Sequence, residues 1–168
     1  MGLFSFIKEA GEKLFHHKDA EAVAAAAAAD DEAAKAKLDA TNRAAGDAIQ
    51  TYIEAQGLTI TGLVVTYDAA SSSVNLFGVA ADQATKEKAL LCAGNVSGVD
   101  NVNDNMSVDL SEPEAQYHDV VSGDNLSKIA KAYYGDPNKY PVIFEANKPM
   151  LSHPDKIYPG QKLRIPPL

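Results

Sequence analysis

The balance of charge reverses once along this chain, and it reverses at a proline. Residues 1–42 carry 5 basic and 8 acidic side chains, and residues 43–111 carry 3 and 8. Glu112 and Glu114 flank Pro113, after which residues 116–168 carry 7 basic against 5 acidic. A proline in a short polar stretch continues neither a helix nor a central strand. Residues 112–115 therefore read as a linker between two small domains of about 50–70 residues, each with a limited core. A chain of 168 residues with 46% hydrophobic and 23% charged side chains has the balance of a globular protein.

The net charge of −8 argues against nucleic acid or an anionic membrane as partner and favours a cation. No apolar run approaches the roughly 18–20 residues of a membrane span. Cys92 is the single cysteine, so no internal disulfide is possible. The start, MGLFSFIKEAGEKLF, is interrupted by Lys8, Glu9, Glu12 and Lys13 and has no cleavage pattern of an export signal. Phe6 stands where a myristoylation motif needs Ser or Thr. A cytoplasmic monomer is expected.

Within these limits the chain divides into five parts. Residues 1–18 form an amphipathic segment, with Leu3, Phe6, Ile7, Ala10 and Leu14 at helical spacing. Residues 19–42 form an Ala-rich acidic spacer in which Val23 and Leu38 are the only larger apolar residues. With no stripe to bury, it reads as a solvated helix or a mobile linker, and Asp30-Asp31-Glu32 as a solvated charge run. Residues 43–111 read αββαβ. Asn42 can cap a helix to Gln56, with Ala45, Ala48, Ile49, Tyr52 and Ile53 inward. Leu63–Tyr67 and Val74–Val79 form a hairpin, Asp82 caps the next helix, Gly94 stops it, and Val99–Val108 is the last strand. Residues 116–168 read βααβ. His118–Val121 starts the domain, Asp124 can cap its first helix and Asn138 its second, and Pro159-Gly160 turns into Leu163–Ile165. The fold class is α+β.

Side-chain chemistry is sparse. Cys92 sits in an apolar helix stretch and reads as a small core hydrophobe. His16-His17 read as solvated, and His118 and His153 have no second ligand at zinc spacing. Asp100 to Asn105, DNVNDN, lacks the glycine and the ligand pattern of a calcium loop. Gly94 to Gly98, GNVSG, is not a nucleophile elbow, and no phosphate loop is present. No enzyme is expected.

Two backbone places remain. A helix ending at Gly11 would leave the carbonyls of Ile7, Lys8, Glu9 and Ala10 without intrahelical partners. Gly94 and Gly98 would leave the carbonyls from Gly94 to Val99 in irregular backbone after a helix end. Each helix C-terminus carries roughly −0.5 charge. Two such ends together make a cation site without a carboxylate, which suits a weakly hydrated monovalent ion. Ordinary helix stops would leave the same glycines. Changes at Asn95 or Ser97 side chains are expected to matter less than Gly98→Val.

Residues 43–111 resemble the BON domain, through the αββαβ order, Gly78 after an apolar strand, DQATKEKAL and GNVSGVDNV. Residues 116–168 resemble a LysM domain through SGDNLSKIA, YYG, IFEAN and IYPGQKLRIP, with His118 and Asn125 departing from the usual tyrosine and threonine. Together with the opening segment, the chain resembles the cytoplasmic potassium-binding BON–LysM protein family. That resemblance implies K+, with Rb+ or Cs+ able to replace it, held by the main-chain carbonyls of Ile7, Lys8, Ala10, Gly94, Val96 and Val99. It implies a non-enzymatic sensor or buffer. The alternative is binding of a peptidoglycan- or chitin-type glycan in the cell envelope, through the groove between the Gly123–Leu126 and Met150–Gly160 loops.

Overall fold

Ile60–Asp68 (β2) and Ser73–Asp82 (β3) pair as an antiparallel hairpin, and Asn101–Leu110 (β4) adds to β3 in parallel. A parallel neighbour requires a crossover, which Gln83–Gly94 (α3) supplies. Gly2–Ser5 (β1) closes the other edge antiparallel to β4, so the sheet runs β1-β4-β3-β2. This computed structural model describes residues 2–5, 11–27 and 32–168. The protein is α+β, with N-terminal helices and two domains of the expected types.

N-terminal helices are present as His17–Ala27 (α1) and Glu32–Ala55 (α2), while Phe6, Ile7 and Ala10 of the expected amphipathic face lie outside the described residues. Residues 2–5 are instead a strand, which covers the backbone groups that the β4 edge would otherwise expose. The Ala-rich stretch is not a solvated spacer. Ala20, Ala24 and Ala27 are buried and α1 packs along α2, because a stripe of methyl groups can be buried without any large side chain. Of the run Asp30-Asp31-Glu32, the first two lie outside the described residues, and Glu32 opens α2.

Asn42 does not cap α2, which begins ten residues earlier. Its side-chain oxygen accepts from Ala69 N (3.0 Å), and Gln50 Oε1 accepts from Val65 N (3.3 Å), so two mid-helix amides tie α2 to the sheet. Gly46 permits the close approach: a Cβ there would lie 2.8 Å from the Val65 carbonyl oxygen. Ile49 and Ile53 of α2 and Ala89, Leu90 and Ala93 of α3 meet Val65, Val74, Leu76, Val102 and Met106 of the sheet in one core. Asp82 caps α3 as expected, accepting from Thr85 N at 2.7 Å.

The C-terminal domain pairs Gln116–Asp119 (β5) with Lys162–Ile165 (β6) and packs Leu126–Tyr134 (α4) and Tyr140–Ala146 (α5) against them. Its core is Val120, Leu126, Ile129, Ala130, Ile143, Leu151, Leu163 and Ile165. Asn125, not Asp124, caps α4, accepting from Lys128 N at 2.9 Å. The Asp124 carboxylate is taken by His118 Nε2 (2.8 Å) and Val121 N (3.1 Å). Asp136, not Asn138, caps the short 3-10 turn Pro137–Lys139 that leads into α5.

The bond to His118, and then the Val121 N–H, hold the Asp124 carboxyl below the usual carboxylate range. Asp124 thus binds its proton less readily folded than unfolded. Its contribution to stability is full above about pH 4 and is lost as the pH falls through its depressed folded value. Asp124→Asn should destabilise the protein at neutral pH and flatten the acid limb of a stability profile measured by denaturant titration. An unchanged acid limb would show that Asp124 does not carry it.

Candidate functional site

α3 ends by tightening, not by a left-handed glycine. Asn95 N donates to Leu91 O (2.9 Å) and Val96 N to Ala93 O (3.3 Å). Gly94 is therefore the last helical residue, and the left-handed turn falls at Gly98, with φ of 95°. The expected role of Gly94 as the residue beyond the helix is corrected accordingly.

All residues from Gly94 to Val99 are buried, with Val96 and Val99 fully so. Loops run over protein surfaces because buried irregular backbone must find partners other than bulk water. Here Val99 N donates to Val96 O (3.2 Å), and Tyr67 OH donates to Gly98 O (3.0 Å). The C-terminal end of α3 adds its partial negative charge to the same place. Among the described residues there is no group of three or more His, Cys, Asp or Glu that could hold a metal ion. Burial pushes the nearby Cys92 thiol up to about 12, so it stays neutral. The donor chemistry of the loop is that of neutral carbonyls.

The opening segment reaches this loop. Glu12 pairs with Val96 in a parallel bridge: Glu12 N donates to Asn95 O (2.8 Å) and Ser97 N to Glu12 O (2.7 Å). Gly11, at φ of 104°, lies so close that a Cβ would fall 1.7 Å from the Asn95 carbonyl oxygen. Gly11 is thus required for a close backbone approach. At the other end, Ser5 sits opposite Asn101, just beyond the loop. Of the six ligands that the resemblance implies, Gly94, Val96 and Val99 lie in the buried stretch after α3, and Ile7, Lys8 and Ala10 lie outside the described residues.

The C-terminal domain closes on the same loop. Lys162 N donates to Asn95 Oδ1 and Asn95 Nδ2 to Lys162 O, both at 2.9 Å, so the amide acts as a further strand residue beside β6. Asn147 serves Arg164 in the same way, through bonds of 2.8 Å to its N–H and carbonyl. Arg164 Nε meets Glu87 Oε2 at 2.6 Å, while Glu87 Oε1 accepts from Gln83 Nε2 and from Ala115 N of the linker. Sequence reasoning missed Asn95, Glu87 and Arg164, since their bonds span 28 to 77 positions. The Asn95 side chain carries a structural role that no local pattern shows: its loss would leave the Lys162 N–H and carbonyl without these bonds, a cost of about 1–3 kcal/mol in stability.

Gly11→Ala should expel the opening segment from the loop, since it adds a backbone collision to the roughly 1–2 kcal/mol of left-handed strain. Hydrogen exchange should then show protection lost at the Glu12 and Ser97 amides and retained in the β2–β3 hairpin. Unchanged protection at Glu12 would show that the contact is dispensable.

Residues 68–109 match the BON domain family and residues 118–166 the LysM domain family. Potassium binding protein Kbp of Escherichia coli O6:H1 (strain CFT073) is 42% identical over 166 residues, 99% of each chain. An uncharacterized protein of Deinococcus radiodurans is 57% identical over 47 residues, 28% of this chain and 18% of its own. With a BON and a LysM domain matched and a full-length likeness of this closeness, the chain belongs to the family of potassium binding protein Kbp.

Proposed function

We propose that this protein binds a potassium ion through backbone carbonyls, as a cytoplasmic, non-enzymatic monomer that senses or buffers the ion. The observation that carries this reading is the buried stretch from Gly94, the last residue of α3, through the irregular loop to Val99, whose polar groups are shut away from water. The ligands would be the carbonyls of Gly94, Val96 and Val99, completed by those of Ile7, Lys8 and Ala10. Support comes from both flanks of residues 6–10: Ser5 is held beside Asn101, and Gly11 and Glu12 against Asn95 and Val96. Val96 O already accepts one N–H, and a carbonyl has a second lone pair for an ion. The name of the E. coli relative supports potassium as the cargo.

Neutral carbonyls select by size and hydration. Sodium demands closer oxygens and costs more to dehydrate, so K+, Rb+ and Cs+ bind better. Calcium gains little where no carboxylate offsets its second charge. The glycan alternative is weaker. Met150, in one wall of the expected groove, packs against the core of the BON domain and accepts from Asn95 Nδ2 at 3.4 Å.

Calorimetric titration of desalted protein with K+, Na+, Ca2+ and a chitin oligomer tests the reading. Potassium should give the strongest binding. Gly98→Val, which forces a β-branched residue to φ of 95°, should weaken it well beyond its effect on folding. Asp100→Asn and Asp104→Asn should change potassium affinity little, although Asp104→Asn also removes an ion pair with Lys86 (2.8 Å) and should lower stability. Equal sodium and potassium affinities, or loss of binding in the aspartate variants with none in Gly98→Val, would contradict it.

A further inference from the structure

Tyr67 lies on β2, far in sequence from the loop after α3, yet its side chain ends there. It is buried, and its hydroxyl donates to the Gly98 carbonyl at 3.0 Å. That carbonyl belongs to the peptide unit whose other end is the Val99 N–H. The Val99 N–H in turn donates to Val96 O at 3.2 Å. The Gly98–Val99 peptide plane is thus pinned at both ends, in a chain of bonds that starts at the Tyr67 hydroxyl and finishes on Val96 O. Bonds linked through one peptide group strengthen each other, and fixing one end orients the other.

The surroundings hold the tyrosine in turn. Phe15, next to the docked opening segment, packs edge-on against the Tyr67 ring with centroids 4.9 Å apart. The Ser72 carbonyl accepts from Asp100 N (2.8 Å) and Asn101 N (3.3 Å), where the loop passes into β4. Burial, with Asp100 and Asp68 nearby, pushes the phenol above its ordinary range, so the O–H remains a donor near neutral pH. Gly98 needs this support because a glycine at φ of 95° has no side chain to hold its own peptide plane.

We infer that Tyr67 is a positioning residue for the ion site, its hydroxyl setting the direction of the Val96 carbonyl and hence the discrimination between potassium and sodium. The inference rests on the potassium reading above. A pinned loop keeps its oxygens apart at a distance suited to the larger ion. A loop released at Gly98 can draw in around the smaller one.

The test is Tyr67→Phe, which removes one oxygen and keeps the ring against Phe15. Tyr134→Phe is the control, since it deletes a like bond, from Tyr134 OH to Pro166 O (2.7 Å), in the other domain. Potassium and sodium affinities are measured by titration of the full-length chains, with melting temperatures in the absence of either ion. In Tyr67→Phe, potassium affinity should fall several-fold to about tenfold, as for one buried hydrogen bond. Sodium affinity should fall less, so that the ratio of the two drops. Tyr134→Phe should leave that ratio unchanged even if it lowers the melting temperature. An unchanged ratio in Tyr67→Phe overturns the inference while leaving the potassium reading intact. Absence of potassium binding by the unaltered protein overturns both. Should Tyr67→Phe melt too low to titrate in plain buffer, the same titration in a stabilising osmolyte that restores its folding must show the lowered ratio, and an unchanged ratio there also overturns the inference.

Discussion

Asn95 uses each of its polar groups to join parts of the chain that are distant in sequence. Its N–H closes α3 on Leu91 O, and its carbonyl accepts from Glu12 N of the opening segment. Its side-chain amide pairs with both backbone groups of Lys162 in the C-terminal domain. The loop that follows can be buried and irregular because its first residue is held from three directions. Gly11 makes the arrangement possible, since any Cβ there would collide with the Asn95 carbonyl.

The second link between the domains is the ion pair of Glu87 with Arg164, the former 2% and the latter 7% exposed. A buried pair of this kind is costly to desolvate and stabilises only when its remaining groups are bonded. Glu87 meets that condition through Gln83 and the linker amide of Ala115. The linker is therefore part of the contact, and the acidic first domain and basic second domain meet at a specific pair rather than through a diffuse attraction. Neither of these bonds touches the loop after α3 directly, but both fix where β6 lies relative to Asn95.

What the sequence made legible follows from how local each signal is. The β2–β3 hairpin and the Asp82 cap rest on neighbouring residues, and both are present. The packed α1 was hidden because alanine is buried as readily as it is exposed, and only its register against α2 decides. Asn42 and Asp124 carry ordinary capping side chains, yet each is diverted to a distant partner, Ala69 N and His118. Gly11 and Gly98 stood out as glycines. Gly11 serves a contact between backbones that no local pattern encodes, whereas the turn at Gly98 was visible in advance. The ligand set came from family resemblance. The structure adds the burial and the hydrogen bonds of Gly94 to Val99, and the Tyr67 and Asn95 side chains that hold them.

In the proposed site, one monovalent ion sits on main-chain oxygens of the loop after α3. Anomalous diffraction from crystals grown with rubidium in place of potassium locates such an ion directly. A single strong peak is expected beside residues 94–99, in coordinating contact with the carbonyl oxygens of Gly94, Val96 and Val99 and with no carboxylate. A peak held by aspartate or glutamate side chains, or full occupancy elsewhere with none at this loop, would contradict it.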